Sequence, residues 1–340
     1  MSYAIENRQG LGWINLRQYN RGDLKQGMLR SHLRRDAADP ELLQLLSASK
    51  LVFDSLCEGH GPEDFELALT TIENESWFDR SKCYWLGNTV NKTHTENYFV
   101  LPYNMVNHCS YLDHVVQLNI DWQNYLRDKM FVCLIRRPSE TRAQIAKRVL
   151  EQYQSSVRTL SYAVDNLTPR VDPWTGIRVP ILLDGITDNT IGHRMNEPRV
   201  WQCLANCVVE TSDQIFGSGD VGYTTLFLTE KTFKVFAWHQ IGLWFAVPGT
   251  VSEVRRAGFD VFDDWVDHSY DDIEDQPKRF DQVFDQLDRL IIKIQESGGI
   301  QNVHQQLYPR FRNNYLRLFE LKLQNFKSLA DWKQKQLNPL

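Results

Sequence analysis

Three groups of residues in this chain have the types and spacing that chemistry requires. The first is Thr229-Glu230-Lys231, followed by Thr-Phe-Lys-Val-Phe-Ala237. Thr is a preferred N-cap because its hydroxyl satisfies an orphan amide, so the triplet reads as a helix start with Glu230 and Lys231 in the first turn. The exposed N–H groups and partial positive charge of that helix end, with Lys231 added, suit a phosphate, while Glu230 can accept hydrogen bonds from sugar hydroxyls. The pairing suggests a nucleotide sugar. Taken alone, the triplet is what ordinary capping with two solvated charges commonly leaves behind, and only its neighbours point further.

The second group is Arg136-Arg137-Pro138, then Ser139 as the cap of a helix from Glu140 to Gln154, with Arg142 at its third position. Strand, basic turn and helix N-terminus in succession favour an anion, although the same arginines also read as solvated helix-end charges. The third group is the loop Cys57-Glu-Gly-His-Gly-Pro-Glu-Asp64, where Glu58, His60, Glu63 and Asp64 crowd together. It offers a carboxylate and an imidazole for proton transfer, the latter titrating near neutrality. Acidic residues around Gly and Pro are also common turns, and Glu63-Asp64 read as caps of the following helix.

These groups need elements to position them. Lys50 to Leu56 is a short buried-strand pattern running into the Glu58 loop, and open α/β sheets carry their chemistry at strand ends. Met130 to Ile135 and Gly242 to Val247 read as apolar strands, with further strands near Thr159 to Tyr162, Val179 to Leu183 and Leu204 to Glu210. The intervening helices give the alternation of a parallel sheet. In the first half, Glu63 to Ile72 and Met105 to Leu118 read as helices, and Cys83 to Leu86 and Tyr98 to Leu101 as strand-like pieces. Residues 1 to about 48 read as a surface-covering extension with one helix from Pro40. Two long helices close the chain, about Pro277 to Glu296 and Ile300 to Leu329. At 340 residues the chain fits two domains with a cleft. The division is 1–128, an α/β domain with the N-terminal extension, then 129–299, and then 300–340, a helix packing back on the domains.

Composition excludes several classes. Hydrophobic residues at 42% and charged residues at 24% are ordinary globular values, so a disordered or fibrous chain is not indicated. A net charge of -5 argues against coating nucleic acid by bulk electrostatics. The six cysteines lack a Cys-x-x-Cys pair, so no zinc or redox motif is expected, and Cys203 and Cys207 read as packed thiols. His239 and Trp238 read as core. The acidic run Asp263, Asp264, Asp267, Asp271 and Asp272 invites a divalent cation but suits an exposed turn better. With no apolar leader or spanning segment, the expectation is a cytoplasmic protein without a membrane span, its oligomeric state unspecified.

Residues 129 to 292 resemble the C-terminal half of α-1,3-fucosyltransferases and their phage-encoded glycosyltransferase-like relatives. The blocks that carry the likeness are Phe131-Val-Cys-Leu-Ile-Arg-Arg-Pro-Ser-Glu-Thr-Arg142, Ala205-Asn-Cys-Val-Val-Glu-Thr211, and Phe227-Leu-Thr-Glu-Lys-Thr-Phe-Lys234, followed by Pro248-Gly249, Gly258 to Trp265 and Ser269-Tyr270-Asp271. The resemblance implies a GT-B-like α/β fold: two Rossmann-like domains facing a cleft, the donor held mainly by the C-terminal one, the acceptor chosen by the other. It implies an inverting glycosyltransferase, metal-independent and without a cofactor, using a nucleoside-diphosphate sugar as co-substrate. The acceptor hydroxyl would belong to a glycan or to a hydroxylated base of phage DNA, the latter placing the protein in the host cytoplasm and needing Arg30, Arg34, Arg35, Arg310 and Arg312 along one edge. Carried over, Arg142 and Lys231 would bind the diphosphate and Glu230 the ribose, with Arg137, Glu210, Phe227 and Thr229 also donor-side. Phe227 stands where the family has Tyr, keeping a ring and lacking a hydroxyl. Glu58 would be the base, with His60 its rival. The alternative is a non-catalytic nucleotide- or sugar-binding module on a degenerate transferase fold.

Overall fold

Apolar runs become strands and polar caps start the helices between them. The computed structural model describes residues 4–8, 11–16, 19, 23–24, 26–55, 62–87, 97–101, 120–136, 138–154, 158–164, 166–182, 198–210, 226 and 228–337. Among these residues the chain is mixed α/β, with two five-stranded sheets, largely parallel, and a two-stranded one. It divides into two compact units, one of Met1–Met105, Tyr223–Phe227 and Lys322–Leu340, the other of Val106–Gly222 and Leu228–Leu321.

The first unit contains β1 (Ile5–Arg8), β2 (Leu11–Asn15), α1 (Met28–Asp36), α2 (Pro40–Ala48), β3 (Leu51–Asp54), α3 (Pro62–Ile72), β4 (Cys83–Gly87) and β5 (Tyr98–Val100). The sheet order is β1-β2-β3-β4-β5, parallel except for β1 at the edge. This corrects the reading of the first 48 residues as a surface extension, because β2 lies between β1 and β3 with Leu11, Trp13 and Ile14 all buried. A strand covered on both faces loses the polar alternation that would have announced it. The buried Asp36 carboxylate accepts the Ala4 N–H at 2.6 Å and ties the N-terminal strand to α1. The helix expected near Met105 to Leu118 lies outside the described residues.

The second unit contains β6 (Lys129–Ile135), α4 (Glu140–Gln152), β7 (Arg158–Tyr162), β8 (Arg170–Val171), β9 (Arg178–Val179), β10 (Ile181–Leu182), α5 (Pro198–Trp201), β11 (Cys203–Val209), α6 (Glu230–Ala237), β12 (Ile241–Phe245), α7 (Thr250–Arg256) and α8 (Gln276–Glu296). The sheet order is β10-β7-β6-β11-β12, with β7, β6, β11 and β12 parallel. From β6 the chain passes through α4 to β7 on one side, then returns to β11 on the other side and continues to β12. The strand order therefore reverses between β6 and β11, which in an open parallel sheet leaves a crevice beyond their C-terminal ends. The last helix, α9 (Ile300–Leu337), contributes residues up to Leu321 to this unit and the rest to the first.

Candidate functional site

The residues beyond β6 and β11 meet at that reversal. After β6, Ser139 caps α4 and its hydroxyl accepts the Arg142 N–H at 3.4 Å. This fixes Arg142 in the first turn, and its Nη2 donates to the Glu210 carbonyl at 2.9 Å. Glu210 directly follows β11, and its own N–H donates to the Phe245 carbonyl on β12 at 3.1 Å. One arginine thus bridges the two strand ends.

The Glu210 side chain turns inward and is 1% exposed. Its Oε1 accepts the Thr232 hydroxyl at 2.6 Å and the Thr229 N–H at 3.2 Å, while Oε2 accepts the Thr229 hydroxyl at 2.5 Å. A buried carboxylate survives only when such donors replace water. Thr229 is also the N-cap of α6, accepting from the Lys231 N–H at 3.2 Å. Glu210 therefore sets both position and direction of the α6 N-terminus. Lys231 Nζ donates to the Thr229 hydroxyl at 3.3 Å and stands 3.9 Å from both Glu210 Oε2 and Glu230 Oε1. At 3.9 Å those carboxylates are ion-paired without a hydrogen bond. The side chains of Glu230 and Lys231 stay about a quarter exposed, at 25% and 27%.

Thr232 is a member of this group that sequence reading passed over. Its spacing from Thr229, three residues along a helix, was the available signal, since such residues share a face. Its hydroxyl also accepts the Trp244 indole N–H at 3.2 Å. Gly242 makes room for that indole, because a methyl at position 242 would overlap the Trp244 ring. Beside β6, Tyr162 at the end of β7 donates to Asp172 Oδ2 at 2.8 Å. Burial pushes the Asp172 carboxyl up, but hydrogen bonds from Tyr162, Thr175 and Trp174 outweigh it and hold it below its ordinary range.

Glu58, His60, Arg137 and Phe227 lie outside the described residues. β3 ends at Asp54, followed by Ser55, both buried; Asp54 accepts the Trp13 indole N–H at 2.9 Å and Ser55 donates to the Leu86 carbonyl at 3.1 Å. Glu63 and Asp64 fall in the first turn of α3.

Most of the other sequence candidates are engaged within the fold. Asp271 accepts the Val251 and Ser252 N–H groups at 2.9 and 2.8 Å and so caps α7, while Asp263 pairs with Arg255 and Asp264 with Arg310. Among the described residues no three of His, Cys, Asp and Glu converge as a metal site. Arg30 and Arg34 both donate to Glu75, at 2.6 and 2.8 Å, and Arg35 donates to Asp36 at 3.0 Å. Trp238 and His239 are buried, as are the unbridged thiols Cys203 and Cys207. Burial pushes the Cys133 thiol up to about 12, which leaves it inert. No described helix is long and apolar enough to cross a membrane.

Comparison with protein-family models, curated proteins and solved structures returns no match.

Proposed function

We propose that this chain is an inverting glycosyltransferase of the GT-B kind that takes its sugar from a nucleoside-diphosphate donor bound at the C-terminal ends of β6 and β11. The observation that carries the reading is the Arg142 bridge to the Glu210 carbonyl at the point of strand reversal, with the capped α6 N-terminus and Lys231 beside it. A diphosphate there meets a guanidinium fork, an ammonium and the N–H groups of a helix start. The same cations stabilise the negative charge that grows on the departing nucleoside diphosphate. Glu230, partly exposed next to Lys231, accepts from donor ribose hydroxyls. Glu210 is spent on Thr229 and Thr232 and serves by holding the helix start in place. The proton of the acceptor hydroxyl goes to Glu58 or His60.

The acceptor is a glycan hydroxyl in preference to a DNA base. Arg30, Arg34, Arg35 and Arg310 each have a carboxylate partner in the chain, which leaves them poor recruits for a phosphate backbone. The test is a panel of nucleoside diphosphates scored by melting temperature, followed by sugar donors scored for hydrolysis and transfer. One diphosphate should raise the melting temperature, since binding to the folded state stabilises it by mass action. No shift with any of them sinks the donor site. Binding without consumption of any sugar donor sinks the catalytic reading and leaves a binding module.

A further inference from the structure

The helix α9 carries a second pattern that the crevice does not use. Its buried row is Phe311, Asn314, Leu318, Leu321, Asn325 and Trp332, an inward stripe at steps of three, four and seven. Two residues out of phase runs another apolar row: Leu316, Phe319, Leu323, Phe326 and Ala330. Two positions along a helix are about 200° of rotation, so this second row faces well away from the first. Leu323 is 69% exposed, Phe326 51% and Leu316 43%, while Ala330 is exposed and Phe319 half-buried. The spacing is that of the a and d positions of a heptad, over about 21 Å of helix. The next d position is Lys333, whose ammonium lies 4.9 Å from the Trp13 ring centre and so closes the row.

We infer that this row is the seam through which two copies of the chain associate, the α9 helices running antiparallel. The flanking charges select the occupant, its direction and its register. With a and d assigned as above, Glu320 and Lys327 both occupy e positions and Lys322 a g position. In a parallel pair each g residue faces the e residue five further along the partner, which sets Lys322 against Lys327 twice. In an antiparallel pair e faces e. When Leu323 meets Phe326 and Phe319 meets Ala330 across the seam, each Glu320 faces a Lys327 of the other copy. Sliding by one heptad either way sets Glu320 against Glu320 or Lys327 against Lys327. Like charges so placed repel, so one arrangement satisfies both the apolar row and the charges. Glu320 is bound to Arg317 at 2.9 Å, yet its side chain is 62% exposed and accessible to a second cation.

The test is sedimentation of the full chain across a concentration series. A seam this short lies at the small end of interfaces, so a dimer with a roughly micromolar Kd is expected. Leu323→Glu should leave a monomer, and its exposed position keeps the fold intact, as circular dichroism and melting temperature would show. Lys327→Glu should weaken the dimer roughly tenfold by setting Glu against Glu twice, and Glu320→Lys combined with Lys327→Glu should restore it. A parallel seam predicts the opposite sign, because Lys327→Glu would then gain two pairs with Lys322. A tighter Lys327→Glu dimer overturns the inference, as does a dimer indifferent to Leu323→Glu. A wild-type chain that stays monomeric at about 100 µM also overturns it and gives this face to a different partner.

Discussion

The Glu210 carboxylate accepts the Thr232 hydroxyl at 2.6 Å in a position that solvent does not reach. That contact divides the work of the site between a carboxylate that builds it and the cations that would use it. Removing the carboxylate leaves the Thr229 hydroxyl and N–H and the Thr232 hydroxyl without their acceptor. Each stranded buried group costs about 1–3 kcal/mol, so Glu210→Ala should lower unfolding stability by roughly 3 kcal/mol or more. Denaturant unfolding measures this directly. A Glu210 that instead touched ligand would leave stability unchanged and move only affinity.

Lys231 and Arg142 should behave in the converse way. Charge-assisted hydrogen bonds contribute about 1.5–3 kcal/mol, so Lys231→Ala is expected to weaken nucleoside diphosphate binding by roughly 10- to 150-fold with a stability change of about 0.5 kcal/mol. Arg142→Lys should lose most of the same affinity, because an ammonium cannot reproduce the guanidinium fork. Titration calorimetry against the diphosphate that stabilises the wild type reads both. Equal affinity in all three proteins would place the anion elsewhere.

Two buried histidines make the second unit sensitive to acid. His239 is packed against Trp122, Tyr308, Phe311 and Tyr315, and His304 against Tyr308 and Phe311, with neither ring nitrogen of either residue hydrogen-bonded among the described residues. Burial, reinforced by the Arg127 charge, holds His239 well below its ordinary value and His304 down at about 3. The unfolded chain takes up these protons near pH 6.5 while the folded chain refuses them. Stability should therefore be flat above about pH 6.5 and fall below it by about 1.4 kcal/mol per pH unit for each histidine. The double variant His239→Asn, His304→Gln should flatten the slope between pH 6.5 and 5. Asn suits position 239 because φ there is 55°, in the left-handed region.

In the first unit, Trp332 near the end of α9 packs on Phe99 with ring centres 5.4 Å apart and on Tyr84 at 6.2 Å. It joins Leu11, Trp13, Val52, Leu86 and Leu101 in the cluster that covers one face of the sheet. Trp332→Ala should cost about 3–5 kcal/mol, the range for deleting a large buried ring. Ending the chain at residue 327 should do at least as much. A melting temperature unmoved by either change would show that this face needs no cover.

The fold was legible where burial and capping agree. Met130 to Ile135 is a continuous apolar run, and Leu204 to Val209 is one apart from Asn206, because their strands have neighbours on both sides and are buried on both faces. Thr229 and Ser139 announced their helices through the hydroxyl with which each accepts a backbone N–H. β2 escaped notice because Leu11 to Asn15 is short and sits among polar and basic residues, and its burial comes from pairing with β1 and β3. The site was half legible. Arg142, Glu230 and Lys231 stand at helix starts, a local property. The inward turn of Glu210 and the role of Thr232 depend on which strands are neighbours, and no local pattern encodes that.

That dependence on neighbours also bears on how the protein comes to fold. Arg142 and Glu210 are 68 residues apart in the chain, and they meet only after β6 and β11 align. Pairing of strands so distant in sequence is slow, because the loop must close before any contact repays it. If the proposed donor site is right, nucleoside diphosphate affinity should therefore be absent from early refolding species and emerge together with β6–β11 pairing, so that a fluorescent diphosphate added during refolding would time the assembly of that central strand pair.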